Sequence, residues 1–348
     1  MPNITVIGTT SWGITLAILL AKKQYDVRLW ARTQKEADEL TESPKPVLSI
    51  NVIYPPDLTI TGSLEDAFED ADVVLIAVPS QTVRQNVQTI KKYLTPKMLI
   101  INAAKGLEIG SNKRMSEVIG EEIEPNQRPN ICVLSGPNLA GEVLRGLPAS
   151  AVVANADEAT ARRAQELLAA PNFNVYTNSD VIGVELGGAL KNIIALGAGM
   201  VDGLGYGDNA KAAFITRGLT EMAAIGLAMG ASPLTLSGLT GLGDLIATCA
   251  STLSRNHYVG VELTKGYTLK QISKSMTGVA EGVATTYAVW HLAQKIKLGM
   301  PITEQIYAVL YEKRTPQEVM AKILGTSGKH ELAGRKWQLF SMFRHKKQ

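Results

Sequence analysis

The run Asn3-Ile4-Thr5-Val6-Ile7-Gly8-Thr9-Thr10-Ser11-Trp12-Gly13 passes from β-branched residues, through a glycine, into the apolar stretch Trp12 to Ala21. It reads as strand, tight turn and helix. It puts glycines where a dinucleotide-binding fold needs its first turn, Gly8, and its helix-to-strand contact, Gly13. The middle glycine of that pattern is absent. Thr10 brings a Cβ and a hydroxyl to the place where bare backbone lets a pyrophosphate approach the helix N-terminus. Two glycines alone fit an unspecific strand-to-helix turn equally well, so the reading depends on the flanking sequence.

That sequence keeps one rhythm. Val27 to Trp30, Leu58 to Thr61, Val73 to Val78, Met98 to Ala103, Ile131 to Leu134, Ala151 to Ala154 and Asn174 to Tyr176 read as further strands, separated by helical patterns such as Ser80 to Leu94. The alternation predicts a doubly wound parallel sheet. After Asn178-Ser179-Asp180 the pattern becomes helical and rich in Ala, Gly, Leu and Met. Helices are expected over Val181 to Val201, Ala210 to Met229, Leu269 to Ser275, Thr285 to Lys297 and Ile302 to Tyr311. The expected organisation is therefore an α/β Rossmann-like dinucleotide-binding domain over residues 1–179, an all-α substrate and catalytic domain over 180–328, and a basic aromatic tail over 329–348.

The second strand ends Leu29-Trp30-Ala31-Arg32-Thr33, where an NAD-selective site would carry an acid for the ribose hydroxyls. None stands there. Arg32 suits a 2′-phosphate through a charge-assisted bond, so NADP is at least as acceptable as NAD; the alternative is a solvated arginine.

In the helical half, Gly187-Gly188-Ala189-Leu190-Lys191-Asn192-Ile193-Ile194-Ala195 sets one lysine in an apolar helix. Burial lowers a lysine pKa toward the range where a neutral amine accepts a proton near pH 7. The competing reading is a lysine whose stem reaches water. Gly187, Gly188 and Ala195, at i−4, i−3 and i+4, either leave a shallow face for a substrate or serve helix packing.

Composition excludes several classes. With 348 residues, 45% hydrophobic and 19% charged, the chain can fill two cores. Arg335, Lys336, Arg344, Lys346 and Lys347 crowd the last fourteen positions; without them 30 basic residues face 32 acidic ones. The near-neutral body gives no electrostatic reason to expect nucleic acid as a partner. Cys132 and Cys249 read as reduced core residues. No basic leader precedes the first strand, which points to the cytoplasm. The apolar run Ile182 to Met200 is interrupted by Glu185 and Lys191 and does not read as a membrane span. His257, His291, His330 and His345 form no local ligand set, so no metal is expected.

Several blocks together resemble the bacterial-type NAD(P)-dependent glycerol-3-phosphate dehydrogenases, in order and spacing from Ile4 to about Gly325. They are Gly8-Thr9-Thr10-Ser11-Trp12-Gly13, Ala104-Lys105-Gly106-Leu107-Glu108, Ser135-Gly136-Pro137-Asn138-Leu139-Ala140, Glu185-Leu186-Gly187-Gly188-Ala189-Leu190-Lys191-Asn192, Gly241-Leu242-Gly243-Asp244-Leu245, Ser254-Arg255-Asn256 and Val279-Ala280-Glu281-Gly282. The resemblance implies interconversion of dihydroxyacetone phosphate and sn-glycerol 3-phosphate, supplying phospholipid synthesis, with Lys191 as the catalytic acid and base.

It further implies a substrate site of Lys105, Gly136, Asn138, Lys191, Asp244, Ser254, Arg255 and Asn256. Gly8, Ser11, Trp12, Gly13, Arg32, Lys105, Ala140, Arg255, Val279 and Glu281 are expected on the cofactor side, with Glu281 as a partner for the nicotinamide amide. Asn138 departs from the family's usual threonine. Asp244, read alone, fits a simple helix N-cap. A small phosphate substrate and a homodimer are the implied partners. Trp337, Leu339, Phe340 and Phe343 among the tail's charges suit weak contact with an anionic membrane surface. The rival readings are another two-domain hydroxyacid or ketoacid reductase, and a catalytically weakened nucleotide-binding sensor suggested by Thr10 and Asn138.

Overall fold

The computed structural model describes residues 1–42, 50–276 and 278–325. The proposed membrane-contacting tail lies outside the described residues. Among the described residues, eight strands form one sheet: β1 (Asn3–Ile7), β2 (Asp26–Trp30), β3 (Leu58–Thr61), β4 (Val73–Ile76), β5 (Leu99–Asn102), β6 (Ile131–Ser135), β7 (Ala149–Ala154) and β8 (Phe173–Asn178). Their spatial order is β3-β2-β1-β4-β5-β6-β7-β8.

The first six strands are mutually parallel, and β1, β4, β5 and β6 are covered on both faces, which is why they read as near-continuous hydrophobic runs. Ile4, Val6, Val73 and Leu75 enter the core on one face, with the helix α1 (Ser11–Ala21). Ile7, Val74 and Ile76 enter the core on the other, against Val83, Val87 and Ile90.

One pairing departs from the expected all-parallel sheet. β6 and β7 are antiparallel, with Val133 opposite Ala154 and Ser135 opposite Val152. Between them the chain makes only the short helix Ala140–Leu144 and turns back at the end where β6 finishes, whereas a parallel return requires a crossover over the sheet face. β8 then pairs parallel with β7 and leads into the second half of the chain.

That half is helical throughout its described residues and is organised around one helix, Val181–Gly203. Asp180 caps it, its carboxylate accepting the Gly183 N–H at 2.8 Å. Every residue from Gly183 to Val201 is buried, beneath Gly207–Ala228, Asp244–Ala250, Arg255–Thr264 and Glu281–Lys295. Leu186, Leu190, Ile193, Ile194, Leu196 and Met200 form the centre of this core, each contributing roughly 1.5–3 kcal/mol of burial. The same helix is long and apolar enough to cross a membrane, but 89% of its most apolar window is buried inside the fold.

Glu185 fastens the long helix to the α/β half. Its buried carboxylate accepts Arg114 Nη1 and Ser116 Oγ, both at 2.6 Å, and the Ser116 N–H at 2.8 Å. Burial still raises the Glu185 pKa, against the pull of Arg114 and Ser116.

Candidate active site

The carboxyl ends of β1, β4 and β5 open onto the long helix, at the point where the strand order reverses between β1 and β4. Open α/β sheets bind ligands at that place. Here it forms a cleft of about 450 Å³, lined from the sheet side by Thr9, Ser11, Trp12, Ala77 and Lys105, and from the helical side by Lys191, Arg255 and Glu281 among others.

The turn after β1 is built by its glycines. Gly8 has φ +112°, and a Cβ there would stand 2.8 Å from Val78 Cγ1; a Cβ on Gly13 would stand 2.1 Å from the Gly8 carbonyl oxygen. The backbone at Thr10 is extended, and its hydroxyl accepts the Gly13 N–H at 3.0 Å and donates to the Ala77 carbonyl at 2.6 Å. The hydroxyl expected to intrude on a pyrophosphate is therefore drawn into the turn as the N-cap of α1, although Thr10 still lines the cleft.

Ser11 and Trp12, in the first turn of α1, have N–H groups without intrahelical acceptors and also line the cleft. Arg255 crosses from the helical side to donate to Ser11 Oγ at 3.1 Å. Helix N-terminus and guanidinium together suit a diphosphate, so these residues fit a dinucleotide.

Lys105 is delivered by a locked turn. Buried Asn102 at the end of β5 donates to the Ala104 carbonyl at 3.0 Å and accepts the Ala104 N–H at 3.2 Å. The lysine then donates to the Gly136 carbonyl at 2.9 Å and to Asp244 Oδ2 at 2.8 Å. Gly136 (φ +129°) thus supplies a carbonyl to Lys105 without itself lining the cleft.

Asp244 is only 1% exposed. A π-turn, Leu239–Gly243, feeds it into the first position of its helix, and its other oxygen meets Lys191 Nζ. The N-cap reading is thereby corrected: the capping position is Gly243, and the Asp244 carboxylate binds two lysines. Lys191 also donates to Thr248 Oγ1 at 2.8 Å, while that hydroxyl donates to the Asp244 carbonyl at 2.6 Å. Burial pushes the Lys191 pKa down to about 8; Asp244 opposes the fall and Lys105 adds to it.

The glycines flanking Lys191 serve packing. A Cβ on Gly187 would lie 2.4 Å from the Thr240 carbonyl oxygen, and one on Gly188 would lie 2.4 Å from Ser135 Oγ. The shallow face anticipated beside the lysine is filled by the π-turn and by the Ser135 and Lys105 side chains.

Other expected residues reach the cleft with most of their polar groups already engaged. Asn256 donates to Asn192 Oδ1 and accepts the Gly282 N–H, both at 2.9 Å. Ser254 caps the Arg255–Thr264 helix. Asn138 donates to the Ser150 carbonyl at 2.8 Å, while its buried Oδ1 has no partner among the described residues. Glu281 accepts both the N–H and the hydroxyl of Ser80, so its carboxylate bridges the two halves of the cleft. Its pKa is raised by burial.

Ala140 and Val279 line the cleft, whereas Arg32 does not. The Arg32 side chain is 81% exposed and lies 3.8 Å from Glu36. Thr248, Asn192 and Ser80 join the site without having been expected there, although Asn192 closes the block that carries Lys191. Thr248 also had a readable signal, one helical turn beyond Asp244.

Family models described as NAD-dependent glycerol-3-phosphate dehydrogenase N-terminus and C-terminus match residues 3–161 and 180–321. A glycerol-3-phosphate dehydrogenase [NAD(P)+] from Dehalococcoides mccartyi is 57% identical, covering 100% of this chain and 97% of its own. One from Bacillus anthracis is 46% identical, covering 95% and 98%. The crystal structure of a glycerol-3-phosphate dehydrogenase from Coxiella burnetii superposes with a TM-score of 0.88 at 36% identity, covering 93% of this chain and 99% of that one. A ketopantoate reductase from Ralstonia eutropha, 14% identical with a TM-score of 0.59 and covering 92% and 99%, shares the fold.

Proposed function

The chain belongs to the NAD-dependent glycerol-3-phosphate dehydrogenase family, and on that premise we propose that its cleft interconverts dihydroxyacetone phosphate and sn-glycerol 3-phosphate, with Lys191 as acid and base. The observation that carries the role of Lys191 is its setting: buried in the cleft wall, paired with Asp244, and held near the pH at which it must work.

Asp244 and Thr248 take two of the tetrahedral positions around Nζ. The third carries a proton in the ammonium form and a lone pair in the amine form. Lys191 thus donates to the carbonyl oxygen in reduction and accepts the hydroxyl proton in oxidation. Lys105 and Asp244 position it, and the buried setting strengthens its charge on the developing alkoxide. Arg255, Ser254 and Asn256 form the wall assigned to the substrate phosphate. Ser11, Trp12, Ala140 and Val279 form the wall assigned to the cofactor, which supplies or takes up the hydride when bound.

The test is oxidation of NADH and of NADPH with dihydroxyacetone phosphate, by the unaltered chain and by Lys191→Ala. Turnover that survives the alanine change removes Lys191 from this role. A ketoacid reductase would show no dependence on the substrate phosphate, and a sensor would bind nucleotide without turnover. Three finer expectations accompany the reading. They are a homodimer, a cytoplasmic location, and weak membrane contact by the tail, checked by light scattering, cell fractionation and liposome flotation against a chain ending at Ala333.

A further inference from the structure

The acid absent from the end of β2 is supplied from the next helix. Glu36, in the first turn of α2 (Gln34–Glu42), turns its carboxylate back toward the β1 turn. It accepts the Thr9 hydroxyl at 2.6 Å through Oε1 and the Arg32 N–H at 3.3 Å through Oε2. The side chain is 26% exposed, so it is both held and reachable. Thr9 directly follows Gly8 and lines the cleft, and Arg32 is the second residue beyond β2. The carboxylate therefore stands between the first turn and the end of the second strand, where dinucleotide folds meet the adenosine ribose.

We propose that Glu36 makes this enzyme favour NAD(H) over NADP(H). Its free acceptor capacity suits the ribose 2′-hydroxyl, because an ionised carboxylate takes several hydrogen bonds and two are used here. Toward a 2′-phosphate the same group presents like charge, an arrangement that costs affinity. Arg32, the cation otherwise suited to that phosphate, lies over the same carboxylate at 3.8 Å and is largely solvated, so its attraction is offset and screened. Thr9 is a positioning residue: its hydroxyl fixes one carboxylate oxygen and turns the other toward Arg32.

The inference rests on the dehydrogenase reading, and the experiment separates the two. The full chain and its Glu36→Gln, Thr9→Ala and Arg32→Ala variants are titrated calorimetrically with ADP-ribose and with 2′-phospho-ADP-ribose. Neither probe carries the nicotinamide, so affinity is read without turnover. The unaltered chain is expected to bind ADP-ribose about tenfold or more tightly than its 2′-phosphorylated form, a difference near 1.4 kcal/mol. Glu36→Gln keeps an acceptor for Thr9 and removes the charge, and the preference should shrink by about tenfold, mostly through tighter binding of the phosphorylated probe. Thr9→Ala should shrink it partly, and Arg32→Ala should not shrink it. A preference unchanged in Glu36→Gln, or a 2′-phosphate preference in the unaltered chain, overturns the proposal. If neither probe binds, the dehydrogenase reading falls along with it.

Discussion

Lys191 and Asp244, 53 positions apart in the chain, form a buried ion pair in which the lysine side chain is 8% and the aspartate 1% exposed. The second oxygen of that carboxylate holds Lys105 at 2.8 Å, so one acid balances two bases from opposite halves of the chain. Removing one member of a buried pair leaves an uncompensated charge, at a cost of about 3–5 kcal/mol. Asp244→Ala is therefore expected to lower unfolding stability by that order as well as turnover. Asp244→Asn, which keeps the side-chain shape and one of the two acceptors, should lose less stability. Urea denaturation of the two variants checks the difference.

The Lys191 pKa of about 8 sets opposite pH dependences for the two directions. Reduction needs the ammonium, so its kcat should be level below about 8 and fall above. Oxidation needs the amine, so its kcat should rise through the same range. Asp244→Asn removes the attraction that lifts this pKa, and both inflections should move to lower pH. Profiles at saturating substrate decide it; inflections that stay in place belong to another group.

For Lys191→Ala, kcat should fall by about 10²–10⁴, the usual contribution of a positioned acid or base, with cofactor affinity preserved. Lys191→Arg should not restore turnover, because a guanidinium does not give up its proton in this range. Steady-state kinetics alongside nucleotide titration separates lost chemistry from lost binding.

Thr10→Ala should lower stability by about 0.5–2 kcal/mol, since it removes the α1 cap and leaves the Gly13 N–H unmet, whereas Thr10→Gly should cost only a few tenths. Thermal unfolding of the two variants provides the comparison. An equal loss in both would mean that the bond to the Ala77 carbonyl matters more than the cap.

Glu281→Ala should leave the Ser80 N–H without its acceptor across the cleft, at a cost of about 1–3 kcal/mol. Glu281→Gln keeps an acceptor for that N–H and should lose less. Differential scanning calorimetry of both variants, without nucleotide, measures the contribution of this bridge.

The centre of the sheet was legible because β4, β5 and β6 are covered on both faces and so consist mostly of aliphatic residues. The short amphipathic helices were not: Gln34–Glu42 buries only Ala37 and Leu40, too few to show a period. Ser80 to Leu94 reads as one helix but is Val83–Ile90 between two 3₁₀ turns. In the site, Lys191 and the glycine turn carry local signals. The role of Asp244 does not, because its lysines come from 53 and 139 positions away and its own neighbours spell a cap. Glu36 escaped for a similar reason: its first-turn position in α2 is an ordinary place for an acid, and only the fold brings it back to Thr9.

The helix Val181–Gly203 carries Lys191 in a segment whose apolarity matters before the protein has folded. The segment leaves the ribosome ahead of Asp244–Ala250, Arg255–Thr264 and Glu281–Lys295, which later cover it, and its mean hydropathy reaches 1.5 over 18 residues. At that moment Glu185 and Lys191 are the charges within its buried stretch. A lysine at the centre of such a segment opposes membrane insertion by about 2.5–3.5 kcal/mol, whereas a leucine favours it. An apolar substitution at Lys191 would therefore raise the hydropathy of a segment that is already long and apolar enough to cross a membrane, as well as removing its chemistry.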